Sequence, residues 1–155
     1  MPATLRDDIR QKRPFKSQHE EALLNVIRTS ATLTDALDLV LKKHGVTSTQ
    51  YNVLRILRGA EPSGLCRNEL RDRMLTRMPD MTRLLDRMEE AGLVSRSREG
   101  EDRRMVLTRI TKQGRKLVDE LDAPVTKLHR TKLGHLTEAQ LRSLSDLLTL
   151  ARHGG

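Results

Sequence analysis

The chain has 155 residues, with 29 lysines and arginines against 21 aspartates and glutamates, and so a formal charge of +8. That length fits one domain, and the positive surplus makes a polyanion the leading class of partner. With Tyr51 and Phe15 as its two aromatics and no tryptophan, the chain must build an aliphatic core. It cannot stack successive bases on aromatic platforms, which disfavours a single-strand binder.

The one cysteine, Cys66, excludes an internal disulfide framework and a cysteine-based zinc cluster, and it suits a reducing compartment. His19, His44, His129, His135 and His153 stand at no metal-ligand spacing, so neither a metal nor any other cofactor is expected. No nucleophile-base pair and no phosphate-cradling glycine loop can be assembled, which makes an enzyme the weakest reading. The first twenty residues lack the apolar stretch of a signal peptide, and no segment approaches the roughly 18 apolar residues of a membrane helix. The expected location is the cytoplasm, with no membrane partner.

In chain order, residues 1–16 read as a basic flexible tail, with Arg6, Arg10, Lys12 and Arg13 among few apolar positions and Pro14 interrupting any helix. From Gln18 to His44, Leu23, Ile27, Thr34, Leu37 and Leu41 recur at three- and four-residue spacing, and Gly45 supplies a stop, which predicts a long amphipathic helix. Thr47 and Gln50 stand at capping-box spacing before Tyr51, Leu54 and Leu57, with Gly59 closing a shorter helix. Glu61-Pro62-Ser63-Gly64 is a turn by composition. A third helix is expected from Arg67 to Met74. A fourth is expected from Pro79 to Ala91, with Met81, Leu84, Leu85 and Met88 on one face.

After Gly92 the hydrophobic period changes from 3.6 to 2. Residues 93–98 and 103–110 then read as a basic hairpin around Glu99-Gly100-Glu101-Asp102. Thr111 caps a further helix that Pro124 should kink, and Thr137 with Gln140 repeats the capping box ahead of a last helix carrying Leu141, Leu144 and Leu148. The fold class is therefore mainly α with a small β-hairpin wing. Four segments follow: a tail (1–16), an N-terminal dimerisation helix (17–46), a winged lobe (47–110) and C-terminal dimerisation helices (111–155). Within the lobe the recognition helix lies at about 79–91 and the wing at about 93–110.

Two short helices followed at once by a basic hairpin form the outline of a winged helix-turn-helix, in which the second helix enters the major groove and the hairpin lies on the backbone or minor groove. The apolar stripe of the helix from Pro79 leaves Asp80, Thr82, Arg83, Asp86 and Arg87 outside. Arg83 is the best base reader, because a guanidinium bonds both acceptors of a guanine; the competing reading is an ordinary solvated helix charge beside Asp86 and Arg87. Arg67 and Arg77 flank this helix start and join the DNA-binding set. In the hairpin, Arg96, Arg98, Arg103, Arg104 and Arg109 point to phosphate contact, whereas Glu99, Glu101 and Asp102 offer the alternative of a merely neutralised edge. Asp102 reads as an organiser of a wing arginine.

These residues also carry a resemblance. Tyr51-Asn-Val-Leu-Arg-Ile-Leu57, Asn68-Glu-Leu70, the run from Thr82 to Val94 and the run from Asp102 to Thr111 closely resemble the MarR family of bacterial transcription regulators, over roughly residues 18 to 152. The wing is the most specific part, with Asp102, Arg104, Ile110 and Thr111 on the family's D-x-R and Leu/Ile-Thr positions. The resemblance implies a homodimer built from the N- and C-terminal helices, two lobes on a pseudo-palindromic double-stranded DNA site, and Arg104 reaching the minor groove. It also implies a pocket between each lobe and the helical region, since many relatives answer to a small aromatic acid or an oxidant. The ligand-binding residues are unknown from the sequence.

Two positions depart from the family pattern. Met74-Leu-Thr-Arg-Met-Pro79 stands where a glycine turn is usual, with Pro79 suiting a first helical position. Cys66 stands where a Ser or Thr cap is common, and a redox switch there competes with a plain, partly buried residue. The leading reading is a dimeric, sequence-specific, duplex-binding regulator, expected to act as a repressor, with a small-molecule effector left open. The alternative is a sequence-indifferent architectural protein of basic character. The charge surplus is three, two and three over residues 1–66, 67–109 and 110–155, so placement of arginines rather than their total carries the DNA reading.

Overall fold

A computed structural model of the chain describes residues 1–99 and 104–154. Helix α1 (Leu5–Asp8) is followed by the long α2 (Gln18–Lys42) and by α3 (Ser48–Gly59). Strand β1 (Leu65–Cys66) leads directly into α4 (Arg67–Asp72), and α5 (Met81–Glu90) precedes β2 (Val94–Arg98) and β3 (Val106–Ile110). The chain then forms α6 (Lys112–Leu133) and α7 (Glu138–His153). This is the mainly helical fold with a small sheet that the sequence pattern predicts.

Side-chain caps fix most of the helix starts. Thr47 and Thr137 each accept from the N–H of the glutamine three residues on, while the Gln50 and Gln140 carboxamides accept from the threonine N–H groups, satisfying two otherwise orphan donors per helix. Thr111 does more. Its hydroxyl accepts from Gly114 N–H at 3.0 Å and donates to the Gly92 carbonyl at 2.7 Å, so α6 begins pinned to the end of α5. Helix α6 runs on through Pro124 as one element.

The segment expected to be a loose tail contains a turn of helix. Thr4 and Asp7 form a capping box, Leu5 is buried, and Arg6 donates to the Lys12 carbonyl at 2.9 Å. The sheet also differs from a two-stranded hairpin. Cys66 and Leu65 pair antiparallel with Leu107 and Thr108, giving the order β1-β3-β2, with Val94 opposite Ile110 and Arg98 opposite Val106.

The core gathers in the lobe. Tyr51, Val53, Leu54 and Leu57 of α3 meet Leu70, Met81, Leu85, Met88 and Val94, and Leu41 of α2 and Val118, Leu121 and Val125 of α6 close it from the far side. Tyr51 is the one aromatic among them. No buried side-chain polar atom among the described residues lacks a partner. Gly114 packs where a β-carbon would strike the Leu93 carbonyl oxygen and meet Ile110 at 3.0 Å. Gly114→Ala is therefore expected to destabilise the lobe by about 1 to 3 kcal/mol through overpacking, outweighing the helix-propensity gain; a lower urea midpoint at unchanged slope is the reading that checks it.

The lobe is clamped to the long helices by charge. Arg58 on α3 donates to Asp119 at 2.8 Å and, with both terminal nitrogens, to Asp122 at 2.9 and 3.0 Å on α6. The Arg58 hydrogen bonds hold the Asp122 carboxyl below its ordinary range, and Arg58 is raised in turn. A carboxyl depressed by folding stabilises the fold above its unfolded pKa, and that contribution disappears as pH falls through the folded value. Wild type should thus exceed Arg58→Met in stability at pH 7 by about 1 kcal/mol or less because the carboxylates are half exposed, read as a higher melting temperature, and the lead should vanish below the carboxylate range.

Candidate nucleic-acid interface

Helix α5 is two-faced. Met81, Leu85 and Met88 are buried at the spacing of one helical stripe, and Leu84 is half-buried beside them. Thr82, Arg83, Asp86 and Arg87 are exposed on the opposite side. The helix starts two residues later than Pro79 suggests. Asp80 is its N-cap, with Oδ1 accepting from Arg83 N–H at 3.0 Å, so Asp80 fixes the helix start instead of reaching outward with a free carboxylate. Arg83 is thereby placed in the first turn of the helix.

The turn before it is also held. Asn52, a buried amide on α3, accepts from Leu75 N–H at 2.8 Å. Sequence reasoning passed over Asn52, since the single signal was a polar residue inside an apolar helix stretch. Arg67 at the start of α4 donates to the Thr82 hydroxyl at 2.9 Å, which brings two residues of the DNA-binding set together across the helix pair. Arg77 is exposed in the turn.

Two of the wing arginines are built into the fold. Arg96 and Arg109, counted by sequence as phosphate ligands, are committed to carboxylates instead. Arg96 bonds Glu89 and Asp86 on α5. Arg109 bonds Glu99 with both terminal nitrogens, at 3.0 and 2.7 Å, and donates to Ser97 and to the Pro62 carbonyl. Those bonds hold Glu89 and Glu99 below the usual carboxylate range. The tertiary approach of β2 to α5 and of β3 to the Pro62 turn decides these partners. Arg98 and Arg104 are exposed at the outer ends of β2 and the β3 arm. Asp102 and Arg103 lie outside the described residues. Among the described residues, Arg77, Arg83 and Arg87 have no side-chain hydrogen bond or ion pair.

Cys66 is the residue before α4, half-buried, and its N–H donates to Glu69 Oε2 at 3.0 Å. That N–H and the thiol together keep the Glu69 carboxyl below its ordinary range. The thiol therefore faces an anion. A cavity of about 470 Å³ opens between the start of α4, α5 and the wing, with Cys66, Arg67, Thr82, Arg96 and Arg104 on its wall. It lies within the lobe, not between the lobe and the long helices. Among the described residues no group of three His, Cys, Asp or Glu is placed to hold a metal, and no helix is long and apolar enough to cross a membrane.

A helix pair whose second member presents an exposed, arginine-bearing first turn, flanked by a strand-built wing, is a winged helix-turn-helix. Comparison with known proteins gives the family. The MarR family model matches residues 44–105. The crystal structure of a MarR transcription factor from Planctomyces limnophilus superposes with a TM-score of 0.67 at 36% identity, covering 88% of this chain and 99% of that one. The chain belongs to the MarR family of transcription regulators. It is also 28% identical over 135 residues to the transcriptional regulator FarR of Neisseria gonorrhoeae, covering 87% of this chain and 91% of that protein. To the homoprotocatechuate degradative operon repressor of Escherichia coli it is 25% identical over 130 residues, covering 84% of this chain and 86% of that protein.

Proposed function

We propose that the protein is a homodimeric repressor that reads a pseudo-palindromic operator, with α5 in the major groove and the wing along the flanking minor groove. The observation that carries this reading is the sorting of the arginines. Arg96 and Arg109 are occupied within the fold, whereas Arg77, Arg83 and Arg87 are exposed at one helix and its approach without an internal partner among the described residues. Arg83 reads a guanine edge, Thr82 and Arg67 contact backbone or base at the helix start, Arg87 and Arg77 meet phosphates, and Arg98, Arg103 and Arg104 serve the wing, with Asp102 as organiser of a wing arginine.

The long helices support a second copy of the chain. Leu23, Val26 and Ile27 of α2 and Leu144, Leu147 and Leu150 of α7 are exposed, and α7 buries no residue within its own chain. Large apolar surface of this kind marks an interface. That the Escherichia coli relative is named as the repressor of a degradative operon supports repression here. The cavity beside Arg67 and Arg96, with Leu85 and Val106 as its apolar wall, supports a small organic anion as effector.

Selection of bound duplexes from a random pool by the full chain tests the reading. A symmetric consensus with half-sites about 10 bp apart centre to centre is expected. An asymmetric consensus would contradict it, and no consensus at all would instead favour the architectural alternative.

A further inference from the structure

The arginine that the sequence places among phosphate ligands, Arg96, makes four hydrogen bonds to two carboxylates of α5. It stands on β2 opposite Thr108, with its side chain 23% exposed. Its backbone N–H donates to Glu89 Oε2 at 3.0 Å and its Nε reaches the same oxygen at 3.3 Å. Its Nη2 donates to Glu89 Oε1 at 3.1 Å and to Asp86 Oδ1 at 2.5 Å. Asp86 and Glu89 are three residues apart and so share one face of α5.

Two consequences follow from that geometry. Between α5 and β2 the chain has only Ala91, Gly92 and Leu93, so a bridge from the middle of β2 back to the second half of α5 makes the helix and the base of the wing one body. A duplex meets both elements at once, and a wing already ordered against the helix spares the complex the entropy of ordering it on binding. The carboxylates matter as well. Asp86 and Glu89 lie on the helix that approaches a polyanion, where like charge repels, and a bidentate guanidinium neutralises them in place. Nη2 alone meets both carboxylates, so a lysine ammonium could keep that bridge but would lose the second, Nε, contact that makes the grip on Glu89 bidentate.

We propose that Arg96 is a positioning residue for operator binding, which fastens the wing to the reading helix and neutralises Asp86 and Glu89 where that helix meets the phosphates. The inference rests on the DNA-reading function proposed above.

The test uses the full-length chain and the duplex selected by wild type, with affinity read by fluorescence anisotropy and contacts by hydroxyl-radical footprinting. Arg96→Met is expected to lower affinity by about tenfold and to erase protection over the flanking minor groove while leaving protection at the half-site centre. The triple variant Arg96→Met, Asp86→Asn, Glu89→Gln should recover most of the affinity but not the flank. Arg96→Lys should keep most of the affinity with a weakened flank, and it stands in if Arg96→Met does not fold. Melting curves give the folded fraction of each variant at the assay temperature. Wild-type affinity and an intact footprint in Arg96→Met would overturn the inference. So would losses that merely track the folded fraction and affect centre and flank alike. If wild type selects no duplex, the DNA reading falls first and this inference with it, an outcome distinct from an unaffected Arg96 variant.

Discussion

Replacing Arg83 with alanine is expected to reduce binding to the selected operator by about 1 to 3 kcal/mol, roughly 5- to 150-fold, while binding to random duplex changes little. Three features place this residue first. Asp80 accepts from its N–H at 3.0 Å, so the first turn of α5 is fixed before DNA arrives. Its side chain is exposed and has no internal partner among the described residues, so no ion pair must break on binding. The turn behind it is anchored by the Asn52–Leu75 bond at 2.8 Å. A base contact differs from a phosphate contact in its signature. Arg83→Ala should relax preference at one base pair per half-site, whereas Arg87→Ala should weaken all duplexes about equally and lower the salt slope by roughly one unit. Parallel titrations on the operator and on single-base variants distinguish these outcomes, and an Arg83→Ala protein with wild-type preference at every position would remove Arg83 from the reading.

The second large effect concerns assembly. Leu147 and Leu150 of α7 are 64% and 67% exposed within one chain, so Leu147→Glu with Leu150→Glu costs the isolated subunit little. In a dimer the same two leucines count twice. At about 1.5 to 3 kcal/mol per buried side chain they contribute on the order of 6 kcal/mol or more, before the added cost of four opposed carboxylates. Sedimentation equilibrium is expected to show a dimer for wild type and a folded monomer for the double variant. Operator affinity should fall by about 10²- to 10⁴-fold, because linked half-site recognition is lost. A double variant that remains dimeric would place the interface elsewhere.

The sequence pattern carried the helical frame with little loss, for identifiable reasons. Met81, Leu85 and Met88 repeat at helix spacing because one face of α5 packs on the core, and Thr47, Thr111 and Thr137 announce helix starts because a hydroxyl there satisfies a backbone donor. The wing's resemblance to the MarR pattern led to the family that the comparisons show. Other features depend on approaches between distant segments. Strand β1 is two residues long, too short for any periodicity, and it exists through pairing with Leu107 and Thr108 some forty residues away. The start of α5 is set by the carboxylate of Asp80, which outcompetes the local preference of Pro79 for a first helical position. In the N-terminal segment, the Thr4 and Asp7 capping box has the same spacing as its counterparts elsewhere, but the scarcity of apolar neighbours hid it.

The arginines show most clearly where sequence reading stops. Composition placed five of them in or beside the wing, and nothing in spacing along the chain shows which are tied to carboxylates, as Arg96 and Arg109 are. The fold does, by bringing Glu89 and Asp86 against one and Glu99 against another. Net charge was correspondingly a weak guide: the structural ion pairs tie up cations within the fold without changing the total.

The central claim, sequence-specific reading of a duplex by a pair of subunits, is tested most directly by competition titration of the selected operator against random duplex at about 0.2 M salt, with stoichiometry from the same samples. Two chains per duplex and a preference of about a thousandfold or more are predicted. Equal affinity for operator and random duplex at that salt would contradict the claim.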